Sequence, residues 1–485
     1  MRDEKLSKFV KLMNNSVSDS DLDLINLGNS LGLDLVSFAK LRESQEDEFT
    51  DIIREKAITK LERNNDNILE NSNLFYAGSI DFMVCKDQGS GKKNFLLETN
   101  GASNRGLSIL SKKQQKIMYR GYFEAIEKCI NNTNQKDKKI IIVVGVPIDD
   151  GLIHEKVIMI EYFRNKIVNK GLTVGIFNLT NFDKDFKYNI AFLIADYKQL
   201  IPNLKFRDNW VQLNDIKIHI LIGDGIARRI HDPIFENLIK NNLYSIKTII
   251  INPIYIVTDD KSLTYLAHYY KRKKLEQYNT TNFLFSKAYD EDELVEKIKR
   301  AVNGYKIPFI IKPYGGSGGA GVMSIFPDEI MKNPSRIKEI INSSKEEFFK
   351  KFMNNRNPFP YTIQEMANFS LIDWRKAKHT FDIRIYLSQI RGKIVPIGGL
   401  IRIARDHYIN GLKKEEFVVN LSGFDGRIEV DRGIGLSKKI LKLLGLEIDH
   451  FIDIFCSSCI IFKGIVDNYK KLMEFSNWDK IIGSD

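Results

Sequence analysis

A short apolar strand that ends on a lysine and runs into a glycine loop constrains this chain more than any other stretch. It reads Pro308-Phe309-Ile310-Ile311-Lys312-Pro313-Tyr314-Gly315-Gly316-Ser317-Gly318-Gly319-Ala320-Gly321-Val322, and a second strand, Val322-Met323-Ser324-Ile325, follows. Five of the seven positions from Gly315 to Gly321 are glycine. Without a Cβ the backbone can turn tightly and crowd its N–H groups around an anion, and a nearby lysine adds a point charge. A polyphosphate is the ligand that suits such a flap. No Gly-Lys-Ser/Thr follows and the continuation reads as strand, so this is not a Walker loop. A glycine-rich hairpin with no ligand is the other reading, because such loops are common turn devices.

The 485 residues have room for roughly three domains. No uncharged apolar run reaches the ~18 residues of a membrane span. The start, Met1-Arg2-Asp3-Glu4-Lys5, is charged and does not read as a signal peptide. Four cysteines, Cys85, Cys129, Cys456 and Cys459, are too few for a disulfide framework, so a reduced, cytoplasmic protein is expected. The net charge of +11 comes from lysines spread along the chain. Nucleic-acid binding asks for a clustered basic stripe with interleaved aromatics, and none stands out.

In chain order, residues 3–70 read as helices, with Asp19, Ser20 and Asp21 as caps and a helical stretch from Glu48 to Asn71. Ile80-Asp81-Phe82-Met83-Val84-Cys85 and Phe95-Leu96-Leu97-Glu98-Thr99-Asn100 read as a hairpin whose turn contains Gly89-Ser90-Gly91-Lys92. Glu98 and Asn100 are two apart and share a face. With Asp81 they form a hard-oxygen set suited to Mg²⁺, or simply a polar outer face. From Lys139 to Gly145, a helix over 154–169 and Gly171 to Phe177 make a β-α-β unit, so parallel α/β structure is expected. Strands follow at 190–194, at 216–222 as one run, and at Thr248-Ile249-Ile250-Ile251-Asn252-Pro253. Arg228 and Arg229 either meet an anionic substrate or decorate a helix start. A helix begins at Asp259-Asp260-Lys261, and another spans about 336–352. Strands recur at 361–366, 380–387 and 394–404, and Val418 to Gly423 closes the region. Helices fill 436–446 and 452–475, where Cys456 and Cys459 read as buried helix cysteines in preference to a metal or redox pair.

Taken together, Asn252-Pro253, Asp260-Lys261, Ile311-Lys312-Pro313 with its glycine loop, Gln364-Glu365-Met366, Asp382-Ile383-Arg384, Arg402 and Asn420-Leu421-Ser422-Gly423 resemble the ATP-grasp superfamily over about 250–425. The resemblance implies an α/β protein. An α+β ATP-grasp core would sit beside a Rossmann-like domain, with helical N- and C-terminal segments. It divides the chain into 1–75, 76–110, 111–255, 256–430 and 431–485. It implies that Lys261 and Lys312 contact ATP phosphates and that Gly315, Gly316, Ser317, Gly318, Gly319 and Gly321 fold over them. Gln364, Glu365 and Met366 would lie at the adenine, and Arg384, Arg402 and Asn420 at the reacting groups.

One departure from the family pattern is informative. The family's acidic residue and Glu-x-Asn follow the Asn-Leu-Ser-Gly piece, but here that place holds Asp425, Glu429 and Asp431 without a Glu-x-Asn. Asp81 and Leu97-Glu98-Thr99-Asn100-Gly101-Ala102-Ser103-Asn104-Arg105-Gly106 supply the pattern near the other end. This looks like a circularly permuted member, with Asp81, Glu98 and Asn100 as Mg²⁺ ligands and Asp425, Glu429 and Asp431 as rivals. The implied activity is an ATP-dependent carboxylate–amine ligase acting on a small acid and a small amine, an amino acid or short peptide. A phosphotransferase or a nucleotide-binding scaffold on the same fold are the alternatives. A homodimer is expected only because dimers are the commonest soluble oligomers.

Overall fold

The computed structural model describes residues 4, 7, 8, 10, 12, 13, 21–86, 91–101, 106–132, 139–148, 151–182, 185–223, 230, 233–352, 356–422 and 428–483. The expected caps at Asp19 and Ser20, the residue pair Arg228 and Arg229, and Asp425 lie outside them. So do part of the hairpin turn and Ala102 to Arg105.

The protein is α/β, built on several sheets. β1 (Ala77–Lys86) and β2 (Lys92–Asn100) form the expected antiparallel hairpin. β3 (Ile140–Val146), β4 (Val174–Asn178) and β5 (Ile190–Asp196) begin a parallel sheet. A small antiparallel meander interrupts it: β6 (Leu204–Arg207), β7 (Trp210–Leu213) and β8 (Ile216–Lys217). β9 (Ile220–Ile222) and β10 (Ile249–Ile251) then complete the order β10-β9-β3-β5-β4. The run 216–222 is therefore two strands, not one. Lys217 pairs in the meander, while Ile220 pairs with Ile142 and Ile249 in the parallel sheet. β3 is buried along its whole length, as a central parallel strand covered on both faces must be.

A second antiparallel sheet has the order β11-β14-β12-β13, from Phe285–Ala288 (β11), Phe309–Pro313 (β12), Met323–Ile325 (β13) and Tyr361–Glu365 (β14). Phe309, Ile311, Ile325, Tyr361 and Ile363 pack under helices Glu291–Tyr305 and Arg336–Phe352. Alternation puts Lys287, Lys312, Thr362 and Gln364 on the other face. A short ribbon, β15 (Ile372–Trp374) and β16 (Ala377–His379), leads into β17 (Phe381–Ile390), β18 (Lys393–Ile403) and β19 (Gly433–Gly435).

These last three strands and the N-terminal hairpin share one sheet, in the order β19-β18-β17-β1-β2. β1 pairs antiparallel with β17 from Ala77↔Ser388 to Met83↔Asp382. Ile383, Ile385, Ile401 and Ile403 join the core with helices Asp47–Glu62 and Ile448–Asp467. The first of these helices stops at Glu62, short of the expected Asn71, with Asn65 in the left-handed region at φ 56°. The second stops at Asp467, and a separate turn, Tyr469–Met473, follows. Cys456 and Cys459 are buried in that helix, and burial pushes the Cys456 thiol up to about 12. Among the described residues no helix is long and apolar enough to cross a membrane.

Candidate active site

Lys312 is the next-to-last residue of β12, on the helix-free face, and is 7% exposed. Its ammonium donates to the Gln364 Oε1 (2.6 Å), the Tyr265 hydroxyl (2.9 Å) and the Leu97 carbonyl (3.2 Å). The lysine thus ties the β11–β14 sheet to β2 of the hairpin. Burial, and then repulsion from Lys261, push it down to about 7, although Glu98 and Asp81 pull the other way. Lys261 opens helix Lys261–Tyr270, whose N-cap Asp260 accepts the Ser262 N–H at 3.1 Å. Its ammonium lies 3.4 Å from the Glu98 carboxylate, which is one-third exposed. A helix N-terminus and two lysines therefore converge beside Glu98.

The glycine loop is shaped by conformations that side chains resist. Gly315, Gly318, Gly319 and Gly321 have φ between 62° and 75°. A Cβ on Gly318 would stand 2.9 Å from the Asn420 amide nitrogen, so the loop reaches the segment that carries Asn420. The Ser317 and Gly315 carbonyls accept from Lys351 (2.7 Å) and Arg356 (3.2 Å), and the Glu347 carboxylate accepts the Gly321 N–H at 2.8 Å. Gly316 is packed against the Pro313 carbonyl. Asn420 is in a loop, held by the Arg432 guanidinium on its carbonyl at 2.6 Å.

The three residues expected at an adenine all make contacts within the protein. Gln364 is buried and its amide is engaged by the protein: the oxygen by Lys312 and Tyr265, the nitrogen by the Leu96 carbonyl at 3.0 Å. It acts as a strut under the site. Glu365 accepts the Leu284 N–H at 2.9 Å, and burial raises its carboxyl above the usual range. The Met366 N–H donates to the Pro308 carbonyl at 2.9 Å, and its methyl group packs towards Gly411.

Asp81, Asp382, Arg384 and Arg402 lie on one face of the β1–β17–β18 strands. Arg384 clasps Asp81 through Nε and Nη2, both at 2.7 Å. Arg402 reaches the same carboxylate at 2.7 Å and grips Asp382 through Nε at 2.8 Å and through Nη2. Burial alone would raise Asp81, but Arg384 and then Arg402 outweigh it and hold it below the usual carboxylate range. For Asp382 burial, with the nearby Asp81 adding to it, outweighs Arg402 and the more distant Arg384 and holds the group above the usual carboxylate range.

The surroundings of Asp81 differ from those of an open metal ligand, because both its oxygens accept guanidinium N–H groups. Glu98 and Asn100 fit a hard cation better. Glu98 offers a partly exposed carboxylate, and Asn100, on the same strand face, offers its carboxamide oxygen; the nitrogen of that amide is buried without a hydrogen-bond partner and, as a donor, is no ligand for a cation. One or two carboxylates plus substrate phosphates are the usual protein share of a Mg²⁺ site. Among the described residues no group of three or more His, Cys, Asp or Glu side chains is arranged to hold a metal. Of the rivals, Glu429 is held by Arg405 and Arg432, and Asp431 by Arg375. Both line a separate cavity of about 840 Å³ with Lys40, Leu41, Ser44 and Trp374. One of its lining residues, Gly433, is the backbone partner of Arg402 across β18 and β19.

Two functional-looking features go beyond the residues singled out from the sequence. Tyr265 sits one helical turn after Lys261, and its hydroxyl meets the Leu97 carbonyl (2.5 Å), Gln364 (2.8 Å) and Lys312 (2.9 Å). Lys287 on β11 is buried and forms a 2.6 Å ion pair with Asp260 on the same face as Lys312. A lysine inside the apolar strand Phe285-Ser286-Lys287-Ala288 was the available signal for the second.

No family model matches the chain, and no curated protein matches it. Among solved structures it is similar to a glutathione synthetase-like effector from Globodera pallida, at 11% identity and a TM-score of 0.38, over 76% of this chain and 81% of that one. It is also similar to D-alanyl-alanine synthetase A from Vibrio cholerae, at 11% identity and a TM-score of 0.30, over 64% and 78% of the two chains. Scores this low carry no argument about function, which rests on the geometry above.

Proposed function

We propose that this chain is an ATP-dependent carboxylate–amine ligase of the ATP-grasp kind, with the N-terminal hairpin standing in for the usual C-terminal metal-binding piece. One observation supports this above the others. Three remote stretches, Asp81 with Glu98, Lys261 with Lys312, and Arg384 with Arg402, meet in one connected polar network, and a glycine loop reaches the adjoining Asn420.

A carboxylate is a poor electrophile. Its oxygen attacks the γ-phosphorus of ATP, ADP leaves, and an acyl phosphate forms. The amine nitrogen then attacks the acyl carbon, phosphate leaves, and the nitrogen loses a proton. Little covalent chemistry falls to the protein, which positions the partners and neutralises charge. Lys261 and Lys312 hold the phosphates. Mg²⁺, when bound at Glu98 and Asn100, offsets the remaining phosphate charge. The ion pairs engage Nε and Nη2 of Arg384 and Arg402, which leaves the Nη1 groups for an oxyanion. The glycine loop keeps water from the acyl phosphate.

The test is ADP release from the purified protein with panels of small acids and amines. Release that needs both an acid and an amine supports the ligase. Release with an acid alone makes it a phosphotransferase, and no ATP binding at all removes the reading.

A further inference from the structure

Asn252 follows β10 and is 2% exposed. A carboxamide has two donors and two acceptor sites, and here all are engaged. Its oxygen accepts the Tyr76 N–H at 2.6 Å and the Ala77 N–H at 3.2 Å. Its nitrogen donates to the carbonyls of Ala77 and Gly101. These groups mark the entry of β1 and the exit of β2. The β1–β2 ladder runs out at Ser79↔Asn100, and beyond that pair the Asn252 side chain serves as the next rung.

The rung lies directly behind Asn100. Gly101 is also trapped on its other side, where a Cβ would stand 2.7 Å from both the hydroxyl and the methyl group of Thr258. Thr258 belongs to the helical turn Tyr255–Asp259, which runs straight into Asp260 and Lys261. One side chain from the parallel sheet thus fixes the backbone that carries Asn100 against the helix start that carries Lys261.

We infer that Asn252 is a positioning residue for the cation site at Glu98 and Asn100, acting through the Gly101 peptide. This rests on the nucleotide reading above. Mg²⁺ demands near-ideal octahedral geometry, so a shift of the Asn100 backbone by a fraction of an ångström acts on the cation before it acts on the nucleotide. A purely structural clamp, by contrast, changes stability and leaves cation dependence alone.

The experiment is a Mg²⁺ titration of the binding of a non-hydrolysable ATP analogue, read by calorimetry, with thermal unfolding alongside. Asn252→Asp keeps the shape but turns two donors into acceptors facing the Ala77 and Gly101 carbonyls. Gly101→Ala presses the same peptide from the Thr258 side and keeps all four hydrogen bonds. The expected result is a rise of roughly 10–100-fold in half-saturating Mg²⁺ for each, the usual effect of removing a group that orients a metal ligand. Adding Thr258→Ala to Gly101→Ala restores most of it. Folded variants with wild-type Mg²⁺ dependence overturn the inference. If Asn252→Asp does not fold, the Gly101 pair decides alone. Wild type that binds the analogue with no Mg²⁺ dependence removes the cation site itself, and the inference with it.

Discussion

Asp81 and Arg384 are cross-strand partners, and the arginine meets both carboxylate oxygens at 2.7 Å although the two residues lie at opposite ends of the chain. Asp81 is fully buried and shares its charge with Arg402. Removing one member of such a cluster leaves buried charge uncompensated, at a cost of about 3–5 kcal/mol. Asp81→Ala is therefore expected to lower the free energy of unfolding by that amount, read from the midpoint and slope of a urea transition. A change within experimental error would show that the arginines find water instead.

If Lys312 holds phosphate as proposed, nucleotide binding carries a pH signature. Its pKa of about 7 in the free protein lies below that of an exposed lysine, because burial and Lys261 disfavour the charge. Phosphate contact restores the charged form, so binding at about pH 8.5 takes up a proton and binding at about pH 5.5 does not. Calorimetry in buffers of different ionisation enthalpy measures the uptake, and Lys312→Met abolishes it. Stability carries the matching sign. The unfolded chain binds the proton more tightly, so the cost of the buried charge is complete below about 7. It is relieved as pH rises towards the ordinary lysine value.

Glu98→Gln separates the hairpin from its rivals. Mg²⁺ enhancement of ATP-analogue binding is expected in wild type and lost in the variant. Ligand at about a hundred times its dissociation constant stabilises a fold by ~2.7 kcal/mol, so thermal shift is a sufficient readout. Equal enhancement in both proteins moves the cation to Asp425, Glu429 or Asp431.

Gly318→Ala forces a side chain into a φ of 62° and towards Lys351 and Asn420. The strain is expected to cost about 1 kcal/mol of stability. Turnover falls more than affinity if the loop excludes water during the reaction. Unchanged turnover would remove the loop from the chemistry.

Much of the architecture was legible because it is local. The alternation in Phe381–Ile390, the Lys-Pro pair that closes Phe309–Pro313, and the Asp260 cap before Lys261 each announce their own element. The Glu98 and Asn100 pair followed from strand period two. What stayed hidden is set by distant pairing. Nothing near Asp81 foretells two arginines more than 300 residues away, so a carboxylate that reads as a metal ligand is an anchor for guanidinium groups. Gln364 and Tyr265 likewise look like a strand residue and a helix residue, and their contact with Lys312 exists only in the assembled cleft. The break between β8 and β9 comes from a strand that leaves one sheet for another, which apolar periodicity does not record.

The pairing of β1 with β17 also sets a schedule. During synthesis the hairpin is made first, and its neighbour follows roughly 300 residues later, on the order of 15–60 s at ~5–20 residues per second. Until then β1 has one free edge and an aspartate without its counter-ions. Such long-range closure is slow for any chain. A nascent chain truncated before β17 therefore holds one of the four charged residues, Asp81, and none of the arginines, so the cluster assembles late and all at once.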